Sequence, residues 1–508
     1  MKRIAAIVLN SVSHDARVLK EADTLSAAGY EVSIFGIQDN RCNEAEMTRE
    51  SGVRIVLCDW QRPTYQIYSW LILVVGVVIS FLTLLAVITQ LDHIHAYLSS
   101  PQAILHAGIL LSAGLAYWFF AESRRYMLIV KRMSGTEAGR PVRQHFLDLL
   151  LKLRTTIRQK ASNQVSKAVR RRQILRMLLR FGPDAVHCHD LHTVPIGYAY
   201  AKRSGCKLVY DSHEIFEELS LIPWWKKRQH EFVQRRYSPR VDAFITINDS
   251  IAEYLNTKYP HLPRAVIVKN AARLPDRPLR YDGRLHRAAG VGLDRKILLY
   301  QGGFAPHRGL MPLVNAAPHL PDDWCLVMMG WGNYENTLRS LAESIDPGGR
   351  RVRFVPPAPN PELADWTCGA TLGAIPYENV CLNHWFCTPN KLWEYPVAGV
   401  PILASPFPEL KKTIERYRIG VLLDDPPTPK NIAETVASLR ESELEAMRVH
   451  CRSFVATDNW AVYERRLVRL YNELLGQDPS KRREERINEP KDDAERAATR
   501  ATAESPFA

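Results

Sequence analysis

Apolar residues along this chain come in short runs, each followed by a stretch with helical spacing. Lys2–Asn10 ("KRIAAIVLN") reads as a buried strand, Asp15–Gly29 as an amphipathic helix, and "YEVSIFGI" and "VRIVLCD" as further strands. Uninterrupted apolar strands alternating with helices indicate a parallel α/β sheet covered on both faces. The pattern breaks at Trp60 and resumes at Pro183 with the strands "DAVHCHD", "KLVYDSHE", "AFITIN" and "AVIVKN", with a helix around 224–237 between the second and third. A second series starts at Lys296: "ILLYQGG", helix 308–319, "CLVMMG", helix 333–343, "VRFVPP", "TLGAIPY", helix 388–398, "PILAS", helix 408–417 and "IGVLLD". The predicted fold is α/β, with two doubly wound Rossmann-like domains facing a cleft. The N-terminal domain takes 1–60 and 181–275 and the C-terminal domain 276–430. Helices follow over 431–476, then a polar tail over 477–508 that reads as disordered.

The interruption has its own pattern. Pro63–Leu91 carries no charged residue, long enough to cross a bilayer core of about 30 Å. Ala103–Ala121 is a second uncharged run, so 61–121 is predicted to be a transmembrane hairpin. Its link, "LDHIHAYLSSP", lacks Lys and Arg, whereas the segment after it is basic. The positive-inside rule then puts both outer flanks in the cytoplasm, at the inner (plasma) membrane.

Charge sharpens this picture. The 508 residues carry a net charge of +13, and Glu122–Arg180 alone holds 16 Lys/Arg against 3 Asp/Glu. The remainder is near neutral, so any partner implied by the net charge belongs to 122–180, read as basic amphipathic helices lying on anionic membrane lipid. No aromatic residue interleaves the cations of 152–180, which argues against nucleic acid. The nine cysteines are odd in number and form no CxxC pair, so reduced thiols are expected and no zinc site. The basic-then-apolar N-terminus is too short in its apolar part for a signal peptide and reads as the first strand. Nothing in the chain sets an oligomeric state.

Candidate chemistry sits at the strand ends, where ligands of doubly wound sheets bind. "YQGGFAPHRGL" follows a strand and opens a helix. Gly302 and Gly303 permit close backbone approach, and Arg308 adds a fixed cation, as a phosphate site requires. In "TPNKLWEYPVAGVPILAS", Thr388 and Pro389 read as a helix start, which with Asn390 and Lys391 suits a diphosphate. Glu394, one turn on, can accept two hydroxyl protons as a ribose presents them; a Lys391–Glu394 surface pair is the alternative. Pro396 inside the same helix should kink it. In the first domain His14 and Asp15, His189 and Asp190, and Asp211, His213 and Glu214 follow three strands and suggest a shared pocket.

Six blocks, "HDARVLKEADTLSAAGYEV", "VHCHDLHTVPIG", "LVYDSHEIFEE", "ITINDSIAEYL", "YQGGFAPHRGL" and "TPNKLWEYPVAGVPILAS", together resemble the retaining GT-B glycosyltransferases of family 4 (group 1), in a "PNKLxEY" subgroup. The resemblance implies a nucleotide-sugar donor on the second domain, an acceptor on the first, and no cofactor or required metal. It implies that Glu394 binds the donor ribose, Arg308 its diphosphate, and that His189 stands beside the transferred sugar. Phe386 and Gly303 depart from a Glu and an Arg common in that family. The expected activity is retaining transfer of a sugar from UDP or GDP to a lipid-linked glycan or glycolipid at the cytoplasmic leaflet. His189, Arg308 and Lys391 would carry catalysis, with the departing diphosphate stabilised electrostatically. A sugar-nucleotide epimerase or hydrolase, or a decayed membrane scaffold, are the alternatives.

Overall fold

The computed structural model describes residues 1–12, 15–39, 42, 44–58 and 166–476. The predicted hairpin at 61–121, the part of the basic segment at 122–165, the tail at 477–508 and His14 lie outside the described residues. Among the described residues no helix is long and apolar enough to cross a membrane. Residues Cys58–Arg176 separate as a second unit from Met1–Leu57 with Met177–Ala508, and the larger unit holds both sheets.

The apolar runs form strands because helices cover both faces of each sheet. The first sheet holds β1 (Arg3–Ile7), β2 (Glu31–Ile37), β3 (Glu46–Thr48), β4 (Arg54–Cys58), β5 (Ala185–His189), β6 (Lys207–Ser212), β7 (Ala243–Thr246) and β8 (Val266–Ile267). Their spatial order is β3-β4-β2-β1-β5-β6-β7-β8; from β2 through β8 the neighbours pair in parallel, and β3 pairs antiparallel with β4. Helices α1 (Ala16–Ala27), α2 (Val194–Ser204), α3 (Trp224–Tyr237) and α4 (Asp249–Lys258) connect the strands. The run "AVIVKN" pairs over only two residues. The Val268 carbonyl instead accepts from Arg17 Nη1 at 2.7 Å.

The second sheet holds β9 (Lys296–Gly303), β10 (Trp324–Trp331), β11 (Val352–Val355), β12 (Leu372–Ile375), β13 (Ile402–Ala404) and β14 (Gly420–Leu422), in the order β11-β10-β9-β12-β13-β14. Every pairing in it is parallel. Strand order reverses at β1/β5 in one sheet and at β9/β12 in the other, and such reversals leave the crevices where ligands settle. Around this sheet lie α5 (Leu310–Ala316), α6 (Lys391–Val397), α7 (Pro408–Tyr417), α8 (Glu441–Thr457) and α9 (Trp460–Leu475). The first of these begins two residues later than predicted, and Gly302 and Gly303 close β9, within the strand that "ILLYQGG" predicts.

Polar side chains join the two domains. Asn248 Nδ2 donates to the Phe386 carbonyl (2.7 Å) and to Thr388 Oγ1 (3.2 Å). Ser250 donates to Glu409 Oε1 from its N–H (3.0 Å) and its hydroxyl (2.7 Å), and the Ile215 N–H donates to Asn383 Oδ1 (2.8 Å).

The chain then returns to the first domain through α9. Trp460 Nε1 donates to Thr24 Oγ1 (3.0 Å), Tyr30 Oη to Asn472 Oδ1 (2.7 Å), and Tyr471 Oη lies 2.9 Å from His187 Nδ1. Trp460 is 1% exposed. Trp460→Ala is therefore expected to lower the unfolding free energy by about 3–5 kcal/mol in urea titration. A change below about 1 kcal/mol would show that α9 does not depend on this anchor.

Candidate active site

A cavity of about 520 Å³ opens at the end of β9. Gln301, Gly302, Gly303, Arg308, Tyr377, Thr388, Asn390, Lys391 and Glu394 line it from the second domain, and His213, Glu214, Ile247 and Asn270 from the first. All seven donor-binding candidates from the second domain are among them.

Lys391 is only 6% exposed. Its ammonium donates to Tyr377 Oη at 3.3 Å and stands 4.9 Å from the Tyr300 ring centre. Arg308 Nη1 donates to the same Tyr377 hydroxyl at 2.9 Å. Two cations thus share one phenol, and among the described residues neither has a carboxylate partner within ion-pair distance. Burial pushes the Tyr377 hydroxyl up to about 12 against the pull of Arg308, so it stays neutral and supplies no counter-charge. A desolvated cation pair of this kind is costly unless an anion completes it. Gly302 makes the arrangement possible: its φ is 109°, and a Cβ there would stand 3.2 Å from Lys391 Nζ. Gly303, by contrast, faces open space.

Glu394 does not pair with Lys391. Its Oε2 accepts from Gln301 Nε2 (2.9 Å), and Gln301 Oε1 accepts from Thr367 Oγ1 (2.7 Å). This chain fixes the carboxylate and leaves its other oxygen for a ligand hydroxyl. The predicted helix start is corrected: Thr388 accepts from Asn248 and caps nothing, and α6 begins only at Lys391, with Asn390 making no side-chain cap. Pro396 lies in the last turn, where Gly399 N–H already bonds the Pro396 carbonyl. It terminates a seven-residue helix rather than kinking a longer one.

The first-domain wall rests on a buried charge cluster. Arg17 Nε and Nη2 donate to both Asp211 oxygens (3.0–3.2 Å), and Arg17 Nη1 holds Val268 O and Asn270 Oδ1. Glu21 Oε1 lies 3.0 Å from Arg17 Nη2. His187 and His189 stack at 4.1 Å. His213 Nε2 stands 3.0 Å from Asp211 Oδ2, and its Nδ1 3.5 Å from Asp190 Oδ1. Glu21, His187, His189 and Asp211 offer ligand atoms within 4.8 Å of one another. The Arg17 guanidinium is already the cation among them.

This redistributes the first-domain candidates. His213 and Glu214 line the cavity. Asp211 (0% exposed) and His189 (3%) stand behind His213 as its support. Burial, with the neighbouring His187, drives His189 down to about 3, so it is neutral. Asp15 caps α1 at the Val18 N–H and accepts from Asn10 Nδ2, a local task. Asp190 turns the chain after β5 at φ 69° and faces His213. Residues that the sequence reading passed over are Arg17, Glu21, Gln301 and Tyr377. The first two had a signal: charged residues four apart on the apolar face of α1, alongside Val18, Ala22 and Leu25, where an unpaired charge is not tolerated.

Burial pulls the His213 pKa down, but Asp211 and Asp190 outweigh it and raise the group to about 9. The cavity therefore presents an imidazolium at neutral pH. The stability it contributes is full below the unfolded-state value of about 6.5 and is lost as pH rises through the folded value. The stability gap between wild type and His213→Gln is expected to shrink from pH 6 to pH 10, with the imidazole resonance titrating near pH 9. A midpoint near 6.5 would show that Asp211 and Asp190 do not hold the proton.

Comparison with known proteins identifies the domains that carry this cavity. Residues 138–271 match the glycosyl transferase 4-like domain and residues 295–442 the glycosyl transferases group 1 family. The D-inositol 3-phosphate glycosyltransferase of Jonesia denitrificans is 26% identical over 314 residues, covering 56% of this chain and 72% of the relative. That of Thermobispora bispora is 24% identical over 317 residues, covering 58% and 71%. Among solved structures, sucrose-phosphate synthase from Thermosynechococcus elongatus superposes with a TM-score of 0.61 at 13% identity, over 94% of this chain and all of the other. Anabaena HepE, solved with UDP-glucose, gives 0.59 at 9% identity, over 93% and 100%. Two parallel Rossmann-like sheets and these two matches establish that the chain carries the family 4-like and group 1 domains of a GT-B glycosyltransferase.

Proposed function

We propose that the protein transfers a sugar from UDP or GDP, with retained configuration, to a lipid-linked glycan or glycolipid at the cytoplasmic leaflet. The observation that carries the donor part is the Arg308–Lys391 pair, two cations on a neutral phenol that form no ion pair among the described residues. A diphosphate fits that charge, and Glu394, held by Gln301, is placed for ribose hydroxyls. HepE has been solved with UDP and with UDP-glucose, which supports a uridine donor for this fold.

The cations stabilise the negative charge that grows on the leaving diphosphate, a role that costs no reorganisation because both are already desolvated and fixed. His213, cationic and in the cavity wall, is placed to donate a hydrogen bond to the donor sugar or the acceptor. The acceptor side otherwise contributes Glu214 and Asn270. The proposed acceptor is the lipid-linked one, and the inositol phosphate in the relatives' names is not carried over. Membrane anchoring and the lipid acceptor rest on the uncharged runs within 61–121 and on the cations of 122–180. The reading invokes no metal and no cofactor, and the nucleotide-sugar is a substrate.

Membranes containing the protein, given a panel of nucleotide-sugars, should yield a lipid extract heavier by one sugar residue. Lys391→Met is expected to lower the transfer rate by roughly 10²–10³, and Glu394→Gln to weaken nucleotide binding about tenfold in calorimetry. Near wild-type transfer by Lys391→Met would remove the leaving-group role. Transfer only to a soluble acceptor would remove the lipid-linked one.

A further inference from the structure

Four of the large apolar side chains that stand exposed fall in one short segment: Leu221 (90%), Trp224 (73%), Trp225 (56%) and Phe232 (66%). The last three belong to α3. Helical spacing aligns Trp224, Arg228, Phe232 and Arg235 along one stripe, with Trp225 and Arg236 beside it, and all six are exposed. The opposite face is fixed to the domain: His230 Nδ1 lies 2.7 Å from the Phe216 carbonyl, and Gln234 Nε2 donates to Tyr210 Oη at 3.1 Å. The outward face is therefore held in place, not loosely displayed.

Its charge is one-sided. The helix "WWKKRQHEFVQRRY" has five Lys/Arg and one acid. That acid, Glu231, is paired with Lys258 at 3.0 Å, and Lys227 with Glu218 at 2.6 Å. No ion pair is recorded among the described residues for Lys226, Arg228, Arg235 or Arg236. Its only acid being paired, the helix turns a one-signed cationic surface outward, which complements a surface of anionic headgroups. Indoles and arginines interspersed on one face match the boundary layer of an anionic bilayer, where amphipathic rings settle at headgroup depth beside phosphates.

We propose that the outward face of α3 seats on an anionic lipid bilayer. Trp224, Trp225 and Phe232 enter the headgroup boundary, and Arg228, Arg235 and Arg236 meet lipid phosphates. Glu214, in the cavity wall, is seven residues from Leu221, so one short connection joins the cavity to this surface. The inference rests on neither the hairpin nor a lipid-linked acceptor.

The test is tryptophan quenching of the full chain on vesicles of brominated phosphatidylglycerol or brominated phosphatidylcholine. Bromine quenches by proximity, so the reading reports where these indoles lie, whatever else holds the chain on the bilayer. Wild type should show a quenched component on the anionic vesicles that W224F/W225F lacks. Replacing three arginines (R228E/R235E/R236E) should weaken its dependence on anionic lipid roughly tenfold or more. Equal quenching in wild type and W224F/W225F overturns the proposal. So does R228C cross-linking between copies together with absent quenching, which assigns the face to a second copy. Sugar transfer is measured on the same samples: quenching without transfer supports this surface while overturning the proposed reaction.

Discussion

The Arg17 guanidinium is the constraint on which the first domain's contribution depends. It reaches from α1 to Asp211 at the end of β6, to Glu21 on its own helix, and to Val268 and Asn270 beyond β8. Burial alone would discharge it, yet its two carboxylates hold it charged. Removing one partner of such a group is costly, on the order of 3–5 kcal/mol, because the other charges are left buried and unpaired. Its effect on the site is indirect. Arg17 holds Asp211 well below the usual carboxylate range, Asp211 with Asp190 holds His213 cationic, and His213 is the group that reaches the cavity.

The second domain solves the converse problem. There a cation pair is kept without a carboxylate, and the space that makes this possible is glycine at 302. Tyr300 and Tyr377 supply ring faces and a hydroxyl, which hold cations without neutralising them. One wall of the cleft is thus internally compensated and the other is not. In the proposed reaction this asymmetry assigns the multiply charged donor to the uncompensated wall and the acceptor to the other.

Much of the fold could be read from the chain because buried parallel strands announce themselves as apolar runs. Strand order could not, since β1 finds β5 nearly 180 positions away. Within the site, Arg308, Lys391 and Glu394 were legible from their places at strand and helix ends. Thr388 was misread because its hydroxyl is taken by Asn248, a residue from the other domain. His189 was favoured over His213 because the resemblance implies it beside the transferred sugar, whereas packing stacks it on His187 and sets it behind His213. The resemblance to family 4 rested on motif order, which survives these local errors.

The return of the chain through α9 has a mechanical consequence. The polypeptide passes between the two sheets twice, outward near Ala272 and back near Trp460, and the two passages are tied by a backbone bond from the Trp460 N–H to the Ala272 carbonyl (2.9 Å). Lys269 and Asp458 pair at 3.2 Å beside it. A single connecting strand would let one lobe swivel freely against the other. Two strands laced side by side suppress that swivel and leave bending about their common line, so the cleft behaves as a book with a sewn spine.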